Sequence, residues 1–204
     1  MKYLFVCLFT LSVTFSQSQD YFQQKVDYDI TVELDDNNHT LSAFEKIIYT
    51  NNSPDKLSFI WFHIWPNAYK NDSTAYAKQA GPKSRFAKSD SLSRGFIDSL
   101  DFSVNGERVD WSYHPDWIDV VKLNLSKPLR SGDSITIETP FFIKLPKVFS
   151  RLGHSGKHYE ITQWYPKPAV YDRKGWHPMP YLNQGEFFSE FGTFDVKITL
   201  PKDY

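Results

Sequence analysis

The sequence predicts an all-β protein built as a two-sheet sandwich, and three observations carry that prediction. Apolar and polar residues alternate with period two in several separate short runs. Turn-forming residues punctuate those runs at regular intervals. No long segment shows the 3.6-residue periodicity of an amphipathic helix.

The first run, Gln24 to Leu34, alternates strictly: Val26, Tyr28, Ile30, Val32 and Leu34 fall on one face, Lys25, Asp27, Asp29, Thr31 and Glu33 on the other. This is the pattern of a half-buried strand, because side chains of a strand point alternately to its two faces. Asp35-Asp36-Asn37-Asn38 tolerates turn conformations and Leu41 to Tyr49 resumes a strand, so the pair reads as a hairpin closed by the turn at Asn51 to Pro54. Leu57 to Trp65 is apolar on both sides, as expected of a central strand or of one crossing between packed layers. Pro66 to Arg94 is polar, lacks a period and contains Gly81-Pro82, so it reads as a long excursion with at most a short helix near Ser73 to Gln79. Strand patterning returns at Ile97 to Val104. Asn105-Gly106 then gives the strongest short hairpin signal, since both residues tolerate positive φ. The partner is Glu107 to Tyr113, followed by strands at Trp117 to Leu125 and, after the Gly132-Asp133 turn, at Ser134 to Leu145. Leu145 to Gly156 reads as a loop, Tyr159 to Tyr165 as a strand, Pro166 to Phe191 as an irregular aromatic loop segment, and Thr193 to Leu200 as a final alternating strand stopped by Pro201.

Composition bounds the function classes. At 204 residues the chain fits one domain at a prior of about 150 residues per domain. Its 23 basic and 24 acidic residues give a net charge of −1, which offers no clustered basic excess for a polyanion and argues against a nucleic-acid partner. Met1-Lys2, the apolar run Tyr3 to Phe15 and the small residues Ser16 and Ser18 read as a secretory signal peptide cleaved after Ser18, leaving residues 19–204 as one mature β-domain in a secreted or periplasmic location. The run is too short, and too interrupted by Thr10, Ser12 and Thr14, for a stable membrane anchor. The single cysteine, Cys7, belongs to that leader, so the mature domain has no disulfide and depends on core burial.

Catalytic chemistry is hard to find in these residues. Gly153-His154-Ser155-Gly156 lacks the spacing of a nucleophile elbow. No histidine is followed by Glu, so His-Glu-x-x-His is absent; His154 and His158, with Glu160 nearby, have the i, i+4 spacing of zinc ligands on a helix, but Gly153 and Gly156 interrupt the segment. Glu186 and Glu190 lie four apart, with Asp195 beyond, and read either as a solvated acidic rim or as paired acids. No catalytic and no metal-binding residue is expected in this chain. The segment Tyr159 to Phe194 stands apart: Trp164, Tyr165, Tyr171, Trp176 and Tyr181 with four Phe are set among prolines and glycines, as either a packed loop over the sandwich or a ligand or domain interface.

Here a family resemblance enters. The runs Ile161-Thr162-Gln163-Trp164-Tyr165-Pro166-Lys167-Pro168-Ala169, Tyr171-Asp172, Gly175-Trp176, Gly185-Glu186-Phe187-Phe188 and Phe194-Asp195-Val196-Lys197-Ile198-Thr199-Leu200-Pro201, in this order, resemble the N-terminal domain of secreted bacterial relatives of aminopeptidase N and leukotriene A hydrolase, the gluzincin zinc aminopeptidases. The resemblance implies a saddle-like β-domain that precedes a thermolysin-like catalytic domain, where zinc and its ligands reside; that domain is absent from this chain, which is then expected to be inactive alone. It further implies that Gln163 lines the substrate pocket, that Tyr165 neighbours the substrate N-terminus in place of the family's acidic or amide residue, and that Trp164 and Trp176 shape the site. The implied partners are the catalytic domain of the same polypeptide and the N-terminus of a peptide substrate. A rival reading from the secretion signal and aromatic load is a carbohydrate-binding or adhesion sandwich, which requires coplanar exposed rings on one sheet face; burial of Trp61, Trp111, Trp117 and Trp164 counts against it.

Overall fold

The structure, a computed structural model, describes residues 21–204; the expected leader and Cys7 lie outside the described residues. Its strands in chain order are β1 (Lys25–Asp35), β2 (Thr40–Thr50), β3 (Leu57–His63), β4 (Phe96–Asp98), β5 (Ser103–Val104), β6 (Glu107–Arg108), β7 (Trp111–Tyr113) and β8 (Val120–Leu129). They continue with β9 (Ser134–Lys144), β10 (Leu152–Ser155), β11 (His158–Ile161), β12 (Lys167–Pro168), β13 (Tyr171–Asp172), β14 (Gly175–Trp176) and β15 (Phe194–Thr199), and one helix, α1 (Ala75–Ala80), interrupts the series.

These strands form the expected two-sheet sandwich. The larger sheet has seven strands in the order β15-β1-β2-β9-β5-β6, with β4 also on β9; the smaller has four, β12-β3-β8-β7. Period-two alternation decides which face turns inward. Val26, Tyr28, Ile30, Val32 and Leu34 of β1 are all buried and join Ile47, Ile137, Phe141 and Ile143 in a core closed from the other side by Ile60, Phe62, Val121 and Leu123. Each such side chain removed from water contributes about 1.5–3 kcal/mol. β3 lies between β12 and β8, the central position its apolar pattern predicts.

Several local readings change, and the strand expected from Glu107 to Tyr113 divides into β6 in the larger sheet and β7 in the smaller. The run from Ile97 to Val104 is broken at Ser99, which adopts φ 60°, so β4 and β5 reach β9 separately. The stretch read as a loop from Leu145 to Gly156 contains β10, which turns at Gly156 (φ 58°) into β11. The excursion from Pro66 to Arg94 is not simply polar surface: Tyr69, Tyr76 and Phe86 are buried, with ring centroids 4.9 Å (Tyr69 to Tyr76) and 5.2 Å (Tyr76 to Phe86) apart. Its helix α1 is short but capped, since the Thr74 hydroxyl accepts from Ala77 N at 3.2 Å and Gly81 ends the helix at φ 79°. Tyr69 and Tyr76 meet Tyr181, and Asp119 anchors that tyrosine by accepting from Tyr181 N at 2.7 Å.

The last strand changes the shape of the sheet's edge. β15 runs parallel to β1, with Tyr28 opposite Phe194 and Val32 opposite Ile198, so its apolar residues extend the inward face of the large sheet. The small sheet does not cover them, and Phe194, Val196 and Ile198 are 51%, 39% and 61% exposed.

Candidate functional site

The run Gln163-Trp164-Tyr165-Pro166-Lys167 leaves the β10–β11 hairpin and enters β12 at the rim of the small sheet. Gln163 sits in the left-handed region at φ 56°, a conformation that costs a residue with a Cβ about 1–3 kcal/mol and persists only where its surroundings enforce it. Two neighbours do so. Thr162 donates its hydroxyl to Arg151 O at 2.5 Å, and Lys167 Nζ donates to Gln163 Oε1.

Lys167 is only 4% exposed. It pairs across the strands with His63, and its ammonium lies 4.1 Å from the centroid of the Trp65 ring, which in turn stacks on His63 at 4.4 Å and 17°. Trp65 is held in place because its Nε1–H donates to Met179 O at 3.0 Å. Burial pushes the Lys167 amine down to about 7, and burial together with the nearby Lys167 charge pushes His63 down to about 3. His63 is therefore neutral at physiological pH, which its hydrogen bonding matches: Nε2 accepts from Met179 N at 3.2 Å, while Nδ1 has no partner among the described residues.

Tyr165 packs edge-on against Tyr28 at 5.4 Å and Phe194 at 5.9 Å, while Trp164 lies 5.5 Å from Tyr165 and 5.8 Å from Phe141. Burial, with Glu45 behind it, pushes the Tyr165 phenol up to about 12, so it is a neutral hydroxyl. Glu45 is fully buried in the large sheet and neither of its oxygens has a hydrogen-bond partner among the described residues; burial raises its carboxyl well above the usual range. Trp164 and Ile161 meet Ile198 and Leu200 around an apolar groove of about 120 Å³. Thus Gln163, Trp164 and Tyr165 form one cluster that adjoins the uncovered face of β15.

Trp176 does not join them. It packs on Tyr171 at 4.9 Å and on Phe59 at 6.0 Å, on the outer face of the small sheet. Lys167 was not singled out by the sequence, since a lysine between two prolines carries no burial signal of its own; the only hint was the want of any polar alternation in Pro166 to Ala169.

The residues read as possible metal ligands do not converge. His154 pairs with Tyr159 and His158 with Ser155 across the hairpin, which puts the two histidines on opposite faces, and His154 stacks instead on His39 at 3.6 Å. Among the described residues no three His, Cys, Asp or Glu side chains are grouped to hold a metal, so the residues present do not fit zinc. Glu190 accepts from Tyr171 N at 3.0 Å, a structural role, whereas Glu186 is exposed. The four tryptophans proposed for a sugar platform are half-buried and divided: Trp111 and Trp164 face the core, while Trp61 and Trp117 lie outside it. No helix among the described residues is long and apolar enough to cross a membrane.

No family model and no curated protein matches the chain. Solved structures do: a variant of the M1 zinc metallopeptidase of Deinococcus radiodurans matches 89% of this chain at 18% identity with a TM-score of 0.48. The unsubstituted enzyme matches 90% at 17% identity with a TM-score of 0.47. The chain spans about a third of the length of these structures, 32% and 33% respectively. These two solved structures are of M1 zinc metallopeptidases, and at such identities the likeness is one of fold alone.

Proposed function

We propose that this chain is the non-catalytic N-terminal β-domain of a secreted zinc metallopeptidase of the aminopeptidase N type, one that packs on a thermolysin-like catalytic domain and contributes Gln163, Trp164 and Tyr165 to the pocket for the substrate N-terminus. Supporting this is the ordered set of motifs from Ile161 to Pro201. One structural observation carries the reading: the strained Gln163 and its aromatic neighbours stand beside a strand whose apolar face has no cover. Phe194 touches Tyr165, so a folded unit seated on Phe194, Val196 and Ile198 brings its own groups up to Gln163. An uncovered row of this kind is what an interface requires and a solvated surface avoids. Zinc belongs to the docked domain, and no step runs through this chain's histidines. Trp176 braces the outer aromatic layer rather than the pocket.

A sugar platform has less support, because Phe59 and Trp61 meet at 81° and Trp61 and His114 at 50°, which leaves no flat stacking surface.

The test uses the longer polypeptide that this reading expects, this chain joined to a catalytic domain. Gln163→Ala is expected to raise KM for peptide substrates several-fold, and Val196→Asp to weaken association with a separately produced catalytic unit. The 204-residue chain alone is expected to show no zinc-dependent hydrolysis of amino-acid anilides. A reading frame with no His-Glu-x-x-His beyond Tyr204 sinks the assignment.

A further inference from the structure

Lys167 is an expensive residue for the place it occupies. A buried ammonium with no carboxylate of the described residues in ion-pair contact persists only where the protein supplies other stabilisation. Here that stabilisation comes from the Trp65 ring face and from a single hydrogen-bond acceptor, Gln163 Oε1. The bond fixes a property of Gln163 that its backbone leaves open. A side-chain amide has a donor end and an acceptor end, and an ammonium, which only donates, can bond only to the acceptor end.

We propose that Lys167 is a positioning residue that sets the polarity of Gln163: its ammonium holds Oε1 inward, so the Nε2–H₂ donors are what Gln163 presents to a ligand. This inference deepens, and rests on, the reading of Gln163 as a pocket residue. The group recognised there is then an acceptor, a peptide carbonyl or carboxylate oxygen, and not the free ammonium of a substrate, which would meet two N–H donors. Recognition of the amine falls to another group.

The same contact is sensitive to protons. Once Lys167 loses its proton to solvent, the neutral amine can either donate to Oε1 or accept from Nε2–H, so it no longer fixes which end of the amide Gln163 turns outward. The titratable groups facing Lys167 and the aromatic rings around it are His63 across the strand pair and Tyr165, with Glu45 behind the tyrosine. His63 is already neutral and Tyr165 still protonated at pH 7, so neither changes charge there.

The experiment follows the Gln163 side-chain carbonyl carbon by NMR in the 204-residue chain from pH 5.5 to 9. The expected result is a shift with a midpoint near 7 in the wild type, its loss in Lys167→Met, and a resonance fixed at the acidic position in Lys167→Arg, which stays charged. A Gln163 resonance without pH dependence, or one that titrates unchanged in Lys167→Met, overturns the proposal; the wild-type titration decides the matter even if the Met variant fails to fold. In the longer polypeptide, Lys167→Met is expected to raise peptide KM about 5- to 10-fold, the loss of one hydrogen bond, with kcat retained and Lys167→Arg within about twofold. An unchanged KM in Lys167→Met refutes the ligand-facing role. A longer polypeptide that hydrolyses no peptide refutes the peptidase reading instead, and the titration of Gln163 still judges Lys167.

Discussion

Asp119 gives the sharpest quantitative test of how this fold is held together. Its side chain, 1% exposed, accepts from Tyr181 N at 2.7 Å and so ties the irregular aromatic segment to the start of β8. Burial raises its carboxyl from 3.8 to about 7, and the hydrogen bond from Tyr181 offsets only part of that. The folded form therefore keeps a proton that the unfolded chain gives up. Stability from this group is full below pH 3.8, falls as pH rises toward about 7, and is level above it. At about 1.4 kcal/mol for each pH unit in that window, the loss amounts to up to about 4 kcal/mol. Asp119→Asn keeps an acceptor for Tyr181 N–H and removes the titration. The amide's two new buried donors cost about 1–3 kcal/mol, but that cost does not depend on pH and cancels when the variant's effect at one pH is subtracted from its effect at another. Urea unfolding of both proteins at pH 4, 6 and 8 is the assay, with equal m-values required before midpoints are compared. The variant is expected to gain on the wild type by up to about 4 kcal/mol between pH 4 and pH 8, equivalent to about 10 °C in Tm for a chain of this size. A difference constant to within about 0.5 kcal/mol across that range refutes the argument, since it would mean that Asp119 ionises in the folded state as it does in the unfolded one.

Two further substitutions address the large sheet. Gly192→Ala places a Cβ on the Val26 carbonyl oxygen, backbone that cannot yield without moving β1, so the variant is expected to release β15 from β1; amide hydrogen exchange at Val196 and Ile198 faster by tenfold or more, with β2 and β9 unchanged, checks it. Glu45→Leu replaces a buried carboxyl that has no partner among the described residues with an apolar side chain of similar volume, and is expected to stabilise the chain by about 1–3 kcal/mol, more at pH 8 than at pH 5, because the raised carboxyl favours the folded state only while protonated; thermal unfolding at both pH values tests the size and the sign.

The elements were legible wherever the two faces of a strand meet different environments. β1 alternates in sequence because it alternates in burial, and Asn105-Gly106 turns as it does because both residues take positive φ, 52° and 81°. The same rule already pointed at Glu45: Leu41, Ala43, Glu45, Ile47 and Tyr49 share a face by period two, so a carboxyl on the core side was readable before any coordinate. What alternation does not encode is which strands meet. The parallel pairing of β15 with β1 joins residues more than 160 positions apart, through backbone hydrogen bonds that any sequence can make, and a strand exposed on both faces shows the same period as one half-buried. The break at Ser99 was hidden for a related reason, since a single residue in the left-handed region leaves the hydrophobic pattern on either side intact.

The candidate site divides along the same line. Gln163, Trp164 and Tyr165 were found because their order resembles a known run, yet resemblance transfers residue types and not orientation. Tyr165 shows the difference. In place of an acidic or amide side chain the chain has a phenol that stays neutral, and its ring is committed to Tyr28 and Phe194, the seam between the sandwich and the uncovered strand. The charge near this seam comes from groups that the motif does not specify: Glu45 behind the ring, and Lys167 beneath Gln163. Both are buried, and burial disfavours the charged form of each, so the seam carries less charge than a free carboxylate and a free ammonium would give it. A surface of low charge flanked by exposed Phe194, Val196 and Ile198 suits a partner seated by apolar contact and oriented by a few hydrogen bonds. While Lys167 keeps its proton, Gln163 is a polar side chain held at that edge in a fixed direction, and for that reason its polarity decides what the site accepts.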